Sequence, residues 1–142
     1  MKHLILTAII LLLGLSACSK DNDDNIICEF TTIIDSEAFE NAPSSVLTIN
    51  SLEINDDCLK INFSAGGCNG NSWEVQLIDS GAVLESMPPQ RNLRLSLKNE
   101  ESCYAYITKE LTFDISNLKV DASEVQLNIT NSDDTINYKY KL

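Results

Sequence analysis

The chain has 142 residues, with ten basic against 21 acidic side chains and a formal net charge of −11. So acidic a balance argues against nucleic acid or an anionic lipid surface as a partner. The only histidine is His3, which leaves the rest of the chain without a Ser-His-Asp or Cys-His mechanism, a His-ligated zinc or a histidine pH switch.

Met1, Lys2 and His3 make a short positive start, an apolar run follows from Leu4 to Leu15, and Ser16-Ala17-Cys18 closes it. This is the layout of a secretory signal peptide over residues 1–17. The run is about 12 residues, short of the roughly 17–25 that a spanning helix needs. Leu15-Ser16-Ala17-Cys18 resembles the lipobox of bacterial lipoproteins. The resemblance implies cleavage before Cys18, diacylglycerol on its sulfur and an acyl group on its new amine. Two or three acyl chains anchor a protein essentially permanently, at about 0.8 kcal/mol per buried methylene. Removal of the leader, which holds Lys2, leaves 125 residues with nine bases against 21 acids, a balance of −12. That is one domain's worth of chain.

Ser19 to Asn25 carries four charges and no apolar residue, so residues 18–26 read as an acylated, acidic tether that buries too little to offset its ordering entropy. Ser19-Lys20-Asp21 with Asp23 and Asp24 resembles the export tag that follows the acylated cysteine in Bacteroidota lipoproteins. The resemblance implies an outer-membrane protein, lipid-anchored and surface-exposed. The same acids lack the spacing and terminal glutamate of an EF-hand calcium loop.

Residues 27–142 read as one β-domain. Apolar and polar residues alternate at Leu59/Ile61/Phe63, Trp73/Val75/Leu77, Leu93/Leu95/Leu97, Leu111/Phe113/Ile115, Val125/Leu127/Ile129 and Ile136/Tyr138/Tyr140, the period-2 signature of half-buried strands. Turn-forming residues separate the runs at Asn55-Asp56-Asp57, Gly66 to Asn71, Asp79-Ser80-Gly81, Pro88-Pro89, Lys98 to Ser102 and Asn131 to Asp134. About eight to ten short strands at this spacing point to an all-β fold, a single antiparallel β-sandwich with a barrel as the alternative. One short helical turn is expected between Asp35 and Ala42, capped by Ser36 and stopped by Pro43. Trp73, the only tryptophan, reads as a core plug ahead of a ligand platform.

Beyond Cys18, the cysteines are Cys28, Cys58, Cys68 and Cys103, an even number in an exported chain. No Cys-x-x-Cys spacing and no histidine favour a metal site, so two disulfides are expected and no metal or other cofactor. A Cys58–Cys68 bridge is disfavoured, because the strand Leu59 to Ser64 carries the chain away at about 3.3 Å per residue. Between the two remaining connectivities the residues barely decide. A plain up-and-down strand count sets Cys103 at the same end as Cys58.

Four features carry a functional alternative to a structural reading. The Gly66 to Asn71 loop could offer backbone amides as an anion nest, against a hairpin loop needing positive φ. Arg94, Ser96 and Lys98 share the face opposite Leu93, Leu95 and Leu97, with Arg91 just before, a basic stripe that suits an acidic ligand; the competing reading is cross-strand pairing with acids. Tyr104 and Tyr106 lie on one face and suit sugar or protein contacts, unless they cover the second sheet or the Pro88-Pro89 loop. Asp134-Thr135-Ile136 resembles the Asp-Ser/Thr-apolar sequon at which Bacteroidota attach O-glycans to exported proteins, which makes Thr135 a modification candidate. No catalytic residues are assigned: a carboxylate pair could support glycosidase chemistry, but 21 acids supply many pairs.

Ile54 to Ser116, about half of the mature domain, contains a Gly-Gly-Cys strand-turn, a Glu-Ser-x-Pro-Pro-Gln segment and a Cys-x-Ala-x-Ile-Thr strand leading into Phe-Asp-Ile. It resembles a group of small, largely uncharacterised Bacteroidota lipoproteins. The resemblance implies the compartment, a β-fold and the pairing Cys68 with Cys103 and Cys28 with Cys58. It brings no catalytic residues. The reading reached from sequence is a non-enzymatic, lipid-anchored binding or accessory module, its partners the membrane through the lipid and a glycan or an envelope protein, with no nucleic acid. The alternative is an envelope inhibitor or stress-protective protein that blocks a hydrolase through a loop such as Gly66 to Asn71. A small carboxylate-based hydrolase comes third.

Overall fold

The computed structural model describes residues 27–142; the leader, Cys18 and the tether lie outside the described residues. Nine strands form two packed sheets: β1 (Phe30–Thr31), β2 (Ile33–Ile34), β3 (Thr48–Asn55), β4 (Cys58–Gly67), β5 (Glu74–Leu84), β6 (Gln90–Lys98), β7 (Ala105–Asp114), β8 (Glu124–Ile129) and β9 (Asp134–Lys139). The first sheet has the order β1-β7-β4-β3, and the second β2-β5-β6-β8-β9. The fold is an all-β sandwich with no closed barrel.

The alternating residues fill its interior. Leu59, Ile61, Phe63, Leu77, Leu93, Leu95, Leu97, Phe113, Ile115, Val125, Leu127, Ile129 and Tyr138 are all buried in one cluster, each stabilising the fold by roughly 1.5–3 kcal/mol relative to exposure. Trp73 plugs one end of it, with its ring centroid 6.1 Å from that of Phe63.

The pairing departs from an all-antiparallel expectation in three places: β1–β7, β2–β5 and β6–β8 are parallel. The β6–β8 pair follows from connectivity. The chain leaves β6, returns along β7 in the opposite sheet, and so re-enters the second sheet running in the β6 direction. Thr32 alone separates β1 from β2, so the chain steps from one sheet edge to the other across a single buried residue.

Three local expectations are corrected. The helix α1 (Ser36–Asn41) is capped by Asp35, whose Oδ1 accepts the Ala38 N–H at 2.9 Å, one residue before the Ser36 expected. Asp79-Ser80-Gly81 is a bulge inside β5, not a turn: Gly81 has φ +81°, the register shifts between Asp79 and Val83, and the strand continues to Leu84. Gly66 to Asn71 does not close a hairpin, because β4 and β5 belong to different sheets. The bulge also explains the strand count that placed Cys103 beside Cys58. Reading it as a reversal adds a strand, whereas β5 running straight through delivers Cys103 to the Gly67 end. Cys28 is joined to Cys58, and Cys68 to Cys103.

Candidate functional site

Asn99 begins the construction at the Gly67 end of the sandwich. Its Oδ1 accepts the Glu101 N–H at 3.0 Å and its Nδ2 donates to Gly66 O, which folds the segment after β6 back over the β4 end. The Glu101 carboxylate then enters the Gly66 to Asn71 loop. Its Oε2 accepts the backbone N–H groups of Cys68, Gly70 and Asn69 at 2.5, 3.0 and 3.1 Å, and its Oε1 accepts the Ser72 hydroxyl at 2.8 Å. The anion nest of the sequence reading is therefore built, and an anion from the same chain fills it. Donation from the Gly70 N–H, followed by the Cys68 N–H, the Ser72 hydroxyl and the Asn69 N–H, holds the Glu101 carboxyl down at about 2 against an ordinary 4.5.

The glycines are required by this packing. A Cβ on Gly67 would lie 2.6 Å from the Glu101 Oε2 and 3.1 Å from the Trp73 ring. Gly70 has φ +70°, and a Cβ there would meet the Lys109 side chain at 2.7 Å. The Lys109 ammonium donates to Gly70 O and stands 5.3 Å from the Trp73 ring centroid.

Two residues beyond Glu101 comes the Cys68–Cys103 bridge, and directly after it Tyr104 and Tyr106. Their relative exposures are 104% and 68%, so neither covers the second sheet or the Pro88-Pro89 loop. Tyr106 stands opposite Gly66 on β4, which offers no side chain to cover its ring. The same outer face continues as a polar ladder: Thr108 to Ser64 at 2.7 Å, Ser64 and Asn62 each to Asn50 at 2.8 Å, and Asn62 to Glu110 at 3.4 Å. Carbonyl-free aromatic faces beside fixed amide and hydroxyl groups can stack on a sugar ring or a peptide plane and hydrogen-bond its rim.

The basic stripe is engaged within the fold. Arg91 points inward, donating to Asp79 Oδ1 at 2.9 Å and to Leu118 O at 3.0 Å. Burial pushes the Asp79 carboxyl up, against the Gly81 N–H and the Arg91 guanidinium that favour its charge. Arg94 closes the end of α1, donating to Ala42 O at 2.9 Å and Ala38 O at 3.2 Å. Lys98 pairs across the strands with Glu74 at 2.8 Å. The stripe thus does not form an acidic-ligand patch: Arg91 and Arg94 are positioned by backbone carbonyls and a buried carboxylate, and alternation sends Arg91 to the opposite face from the other two. Thr135 is exposed as the second residue of β9, just past Asp133, whose φ is +59°. Among the described residues no group of three His, Cys, Asp or Glu side chains could hold a metal ion, and no helix is long and apolar enough to cross a membrane.

Sequence reasoning missed Glu101 and Lys109. Glu101 could have been found only through the disulfide: once Cys103 is tied to Cys68, an acid two residues upstream falls beside a Gly-rich run of free amides. Lys109 sits on the inward face of β7 between Ile107 and Leu111, where a charge breaks the apolar alternation.

No family model and no curated protein matches the sequence. Three solved structures share the fold. A protein of unknown function, DUF1344, from Bacteroides vulgatus ATCC 8482 is 14% identical with a TM-score of 0.54, over 80% of this chain and 57% of its own. A putative toxin-related protein from Parabacteroides distasonis ATCC 8503 is 18% identical with a TM-score of 0.51, over 78% of this chain and 60% of its own. A NigD-like immunity protein from Bacteroides caccae ATCC 43185 is 9% identical with a TM-score of 0.54, over 77% and 59% respectively. This chain spans less than two thirds of each of these proteins. At these identities the likeness carries the fold alone, and it agrees with the resemblance to uncharacterised Bacteroidota proteins.

Proposed function

We propose that the chain is a non-enzymatic binding module, anchored by lipid at Cys18 on the outer membrane and facing outward, whose contact surface is the Tyr104–Tyr106 end of the first sheet. The observation that carries this reading is the position of Tyr104: fully exposed, yet next to the disulfide at Cys103 and three residues from the clasped carboxylate of Glu101. Tyrosine joins an apolar ring to a polar hydroxyl and is enriched at interfaces, and here two such rings, Tyr104 and Tyr106, stand exposed two residues apart. Fixing the backbone beneath them removes ordering entropy that a partner would otherwise have to overcome.

Retention of the protein on a panel of envelope polysaccharides and envelope proteins tests the reading. Capture of the parent protein that is lost in Tyr104→Ser/Tyr106→Ser, with the melting temperature unchanged, supports it. Equal capture of both forms, or turnover of a substrate in the panel, overturns it. Anchoring is tested apart: Cys18→Ser releases the protein from membranes, and its recovery in the membrane fraction after a carbonate wash would refute the lipid anchor. Intact mass of the natively expressed protein and of Thr135→Ala tests the glycan proposed at Thr135, seen as a hexose-scale increment present only in the parent.

A second reading, an inhibitor of an envelope hydrolase, draws on the same end of the molecule. The Cys68 to Ser72 loop is held by the Glu101 carboxylate and the Cys68–Cys103 bridge, and a loop fixed in advance can occupy an enzyme cleft without rearranging. The fold shared with an immunity-type protein and a toxin-related protein is compatible with it. Tight capture of a hydrolase with loss of its activity distinguishes this outcome from glycan retention.

A further inference from the structure

The strand that carries Tyr106 has an open edge. On one side β7 pairs with β4 along its whole length, from Ala105 to Asp114. On the other side β1 pairs with it only at Phe113 and Asp114. At the next position the lane is closed by a side chain: the Thr112 N–H donates to Glu29 Oε2 at 2.8 Å, and the Glu29 N–H donates to the Thr112 hydroxyl at 3.0 Å. Backbone groups of one strand alternate in direction. Since Thr112 N–H and Asp114 O both face this edge, the N–H and C=O groups of Glu110, Thr108 and Tyr106 face it too. Among the described residues no strand pairs with them there.

Directly behind that lane lies a cleft of about 480 Å³ between the sheets. Trp73, Val75, Leu111, Phe113 and Phe30 line it with apolar surface, and Lys109 stands at its rim. A strand laid along Tyr106 to Glu110 would send alternate side chains into this cleft and the others outward, past Tyr106. β1 demonstrates the geometry at the lower end, where Phe30 enters the lane, its ring 5.7 Å from that of Phe113.

We propose that the β7 edge accepts an extended peptide segment of a partner protein by strand addition, with an apolar side chain seated in the cleft and basic residues flanking it. This deepens the binding-module reading and rests on it. Charge selects the occupant. Glu29, Glu110 and Asp114 lie along the lane and Glu74 lines the cleft; Lys98 pairs with Glu74 and Lys60 stands 3.9 Å from Glu110, but Glu29 and Asp114 have no lysine or arginine partner among the described ion pairs, the one lysine lining the cleft is turned inward to Gly70 O, and the chain is −11 overall. A second copy of the chain, or its own acidic segment from Asp21 to Asp24, would bring like charge. A basic strand would not. Edge hydrogen bonds supply affinity in such complexes, and alternate side-chain pockets supply specificity.

The probe is the heptapeptide Lys-Val-Lys-Phe-Lys-Val-Lys, added to the full lipidated chain in detergent. Amide hydrogen exchange over Tyr106 to Glu110 should slow by about tenfold or more at saturation, while exchange in β3 and β9, the outermost strands on the far side of each sheet, stays unchanged. Peptide N-methylated at alternate residues, which loses its donors without any change to the protein, should bind at least about tenfold more weakly. Thr108→Pro removes one outward N–H and leaves the β4 ladder intact, and Leu111→Trp fills the cleft; each should weaken binding comparably. Slowed exchange that survives N-methylation, no slowing at millimolar peptide, or slowing without peptide that scales with protein concentration would each overturn the proposal, the last in favour of self-pairing. Should Thr108→Pro and Leu111→Trp leave envelope capture intact while Tyr104→Ser/Tyr106→Ser abolishes it, the binding-module reading stands and strand addition falls.

Discussion

The two ends of β4 are built from the same parts and use them in opposite ways. At Cys58, a disulfide to Cys28 and the carboxylate of Asp57 gather two tyrosines into the fold. Tyr138 is buried and donates its hydroxyl to Asp57; Lys119 pairs with Asp57 at 2.9 Å and stands 5.9 and 5.7 Å from the ring centroids of Tyr138 and Tyr140; and Tyr140 exchanges hydrogen bonds with the backbone of Val120. At Gly67, a disulfide to Cys103 and the carboxylate of Glu101 grip backbone amides instead, and two tyrosines are left in water. The first arrangement uses its polar groups to satisfy buried hydroxyls, as stability requires. The second gives its polar groups to the loop and none to the rings, which is what the proposed contact surface needs.

Removing either disulfide is the largest perturbation of this contrast. The bridges span 30 and 35 residues, so chain entropy assigns them nearly the same value, about 4 kcal/mol each. Cys28→Ser/Cys58→Ser and Cys68→Ser/Cys103→Ser should therefore lower stability in denaturant titrations by similar amounts. Only the second should weaken capture by the Tyr104–Tyr106 surface when both are assayed under conditions where they are folded. Equal loss of capture would erase the functional distinction between the two ends. The tyrosine hydroxyls come next. Tyr138→Phe strips Asp57 of its buried donor and should cost about 1–3 kcal/mol. Tyr104→Phe, in open solvent, should stay within about 0.5 kcal/mol of the parent.

The strands facing the core were legible because alternation survives wherever one face is buried and the other wet. It failed where backbone irregularity breaks the period. β3 escaped detection because the register shifts between Ile49 and Ser51, so Ile49 and Leu52 stand three apart yet both turn inward. β1 and β2 are two residues each, too short to show a period. In the site, alternation put Tyr104 and Tyr106 on one face but left open whether another element covers it, and the cross-strand pairing read as the alternative for the basic stripe holds for Lys98 with Glu74, whereas the fates of Arg91 and Arg94 could not be read. Their partners, Asp79 and the end of α1, are brought to them by a bulge and a helix cap, neither of which local sequence displays. Glu101 was hidden for the same reason. A carboxylate in a polar loop looks like solvent-facing charge until a disulfide decides which amides stand opposite.

The smallest expected effect lies in acid, and it separates the two carboxylates by what they hold. Glu101 has its pKa lowered from 4.5 to about 2, chiefly by the Gly70 N–H and then by its other donors. Asp57 is lowered from 3.8, first by the Tyr138 hydroxyl and then by Lys119, against burial. A carboxyl with a depressed folded-state pKa binds its proton more readily in the unfolded chain. Its contribution is therefore present above the unfolded value and is lost as pH falls through the folded one. For Glu101 that window runs from 4.5 down to about 2. Glu101→Gln cannot titrate, and its amide cannot accept from four donors as a carboxylate does, so it should be less stable than the parent at pH 7 and should lose less on acidification. Asp57→Asn should flatten the acid limb as well, but from the other end of the molecule. Exchange of the Cys68 to Ser72 amides then tells the two apart: in the parent it should accelerate as pH falls through this window, beyond the intrinsic pH dependence, while the Asp57→Asn protein retains that acceleration and Glu101→Gln is already fast at pH 7. Slow, pH-independent exchange of those amides in Glu101→Gln would mean that the disulfide alone holds the loop, and that the carboxylate clasp adds nothing to the rigidity beneath Tyr104.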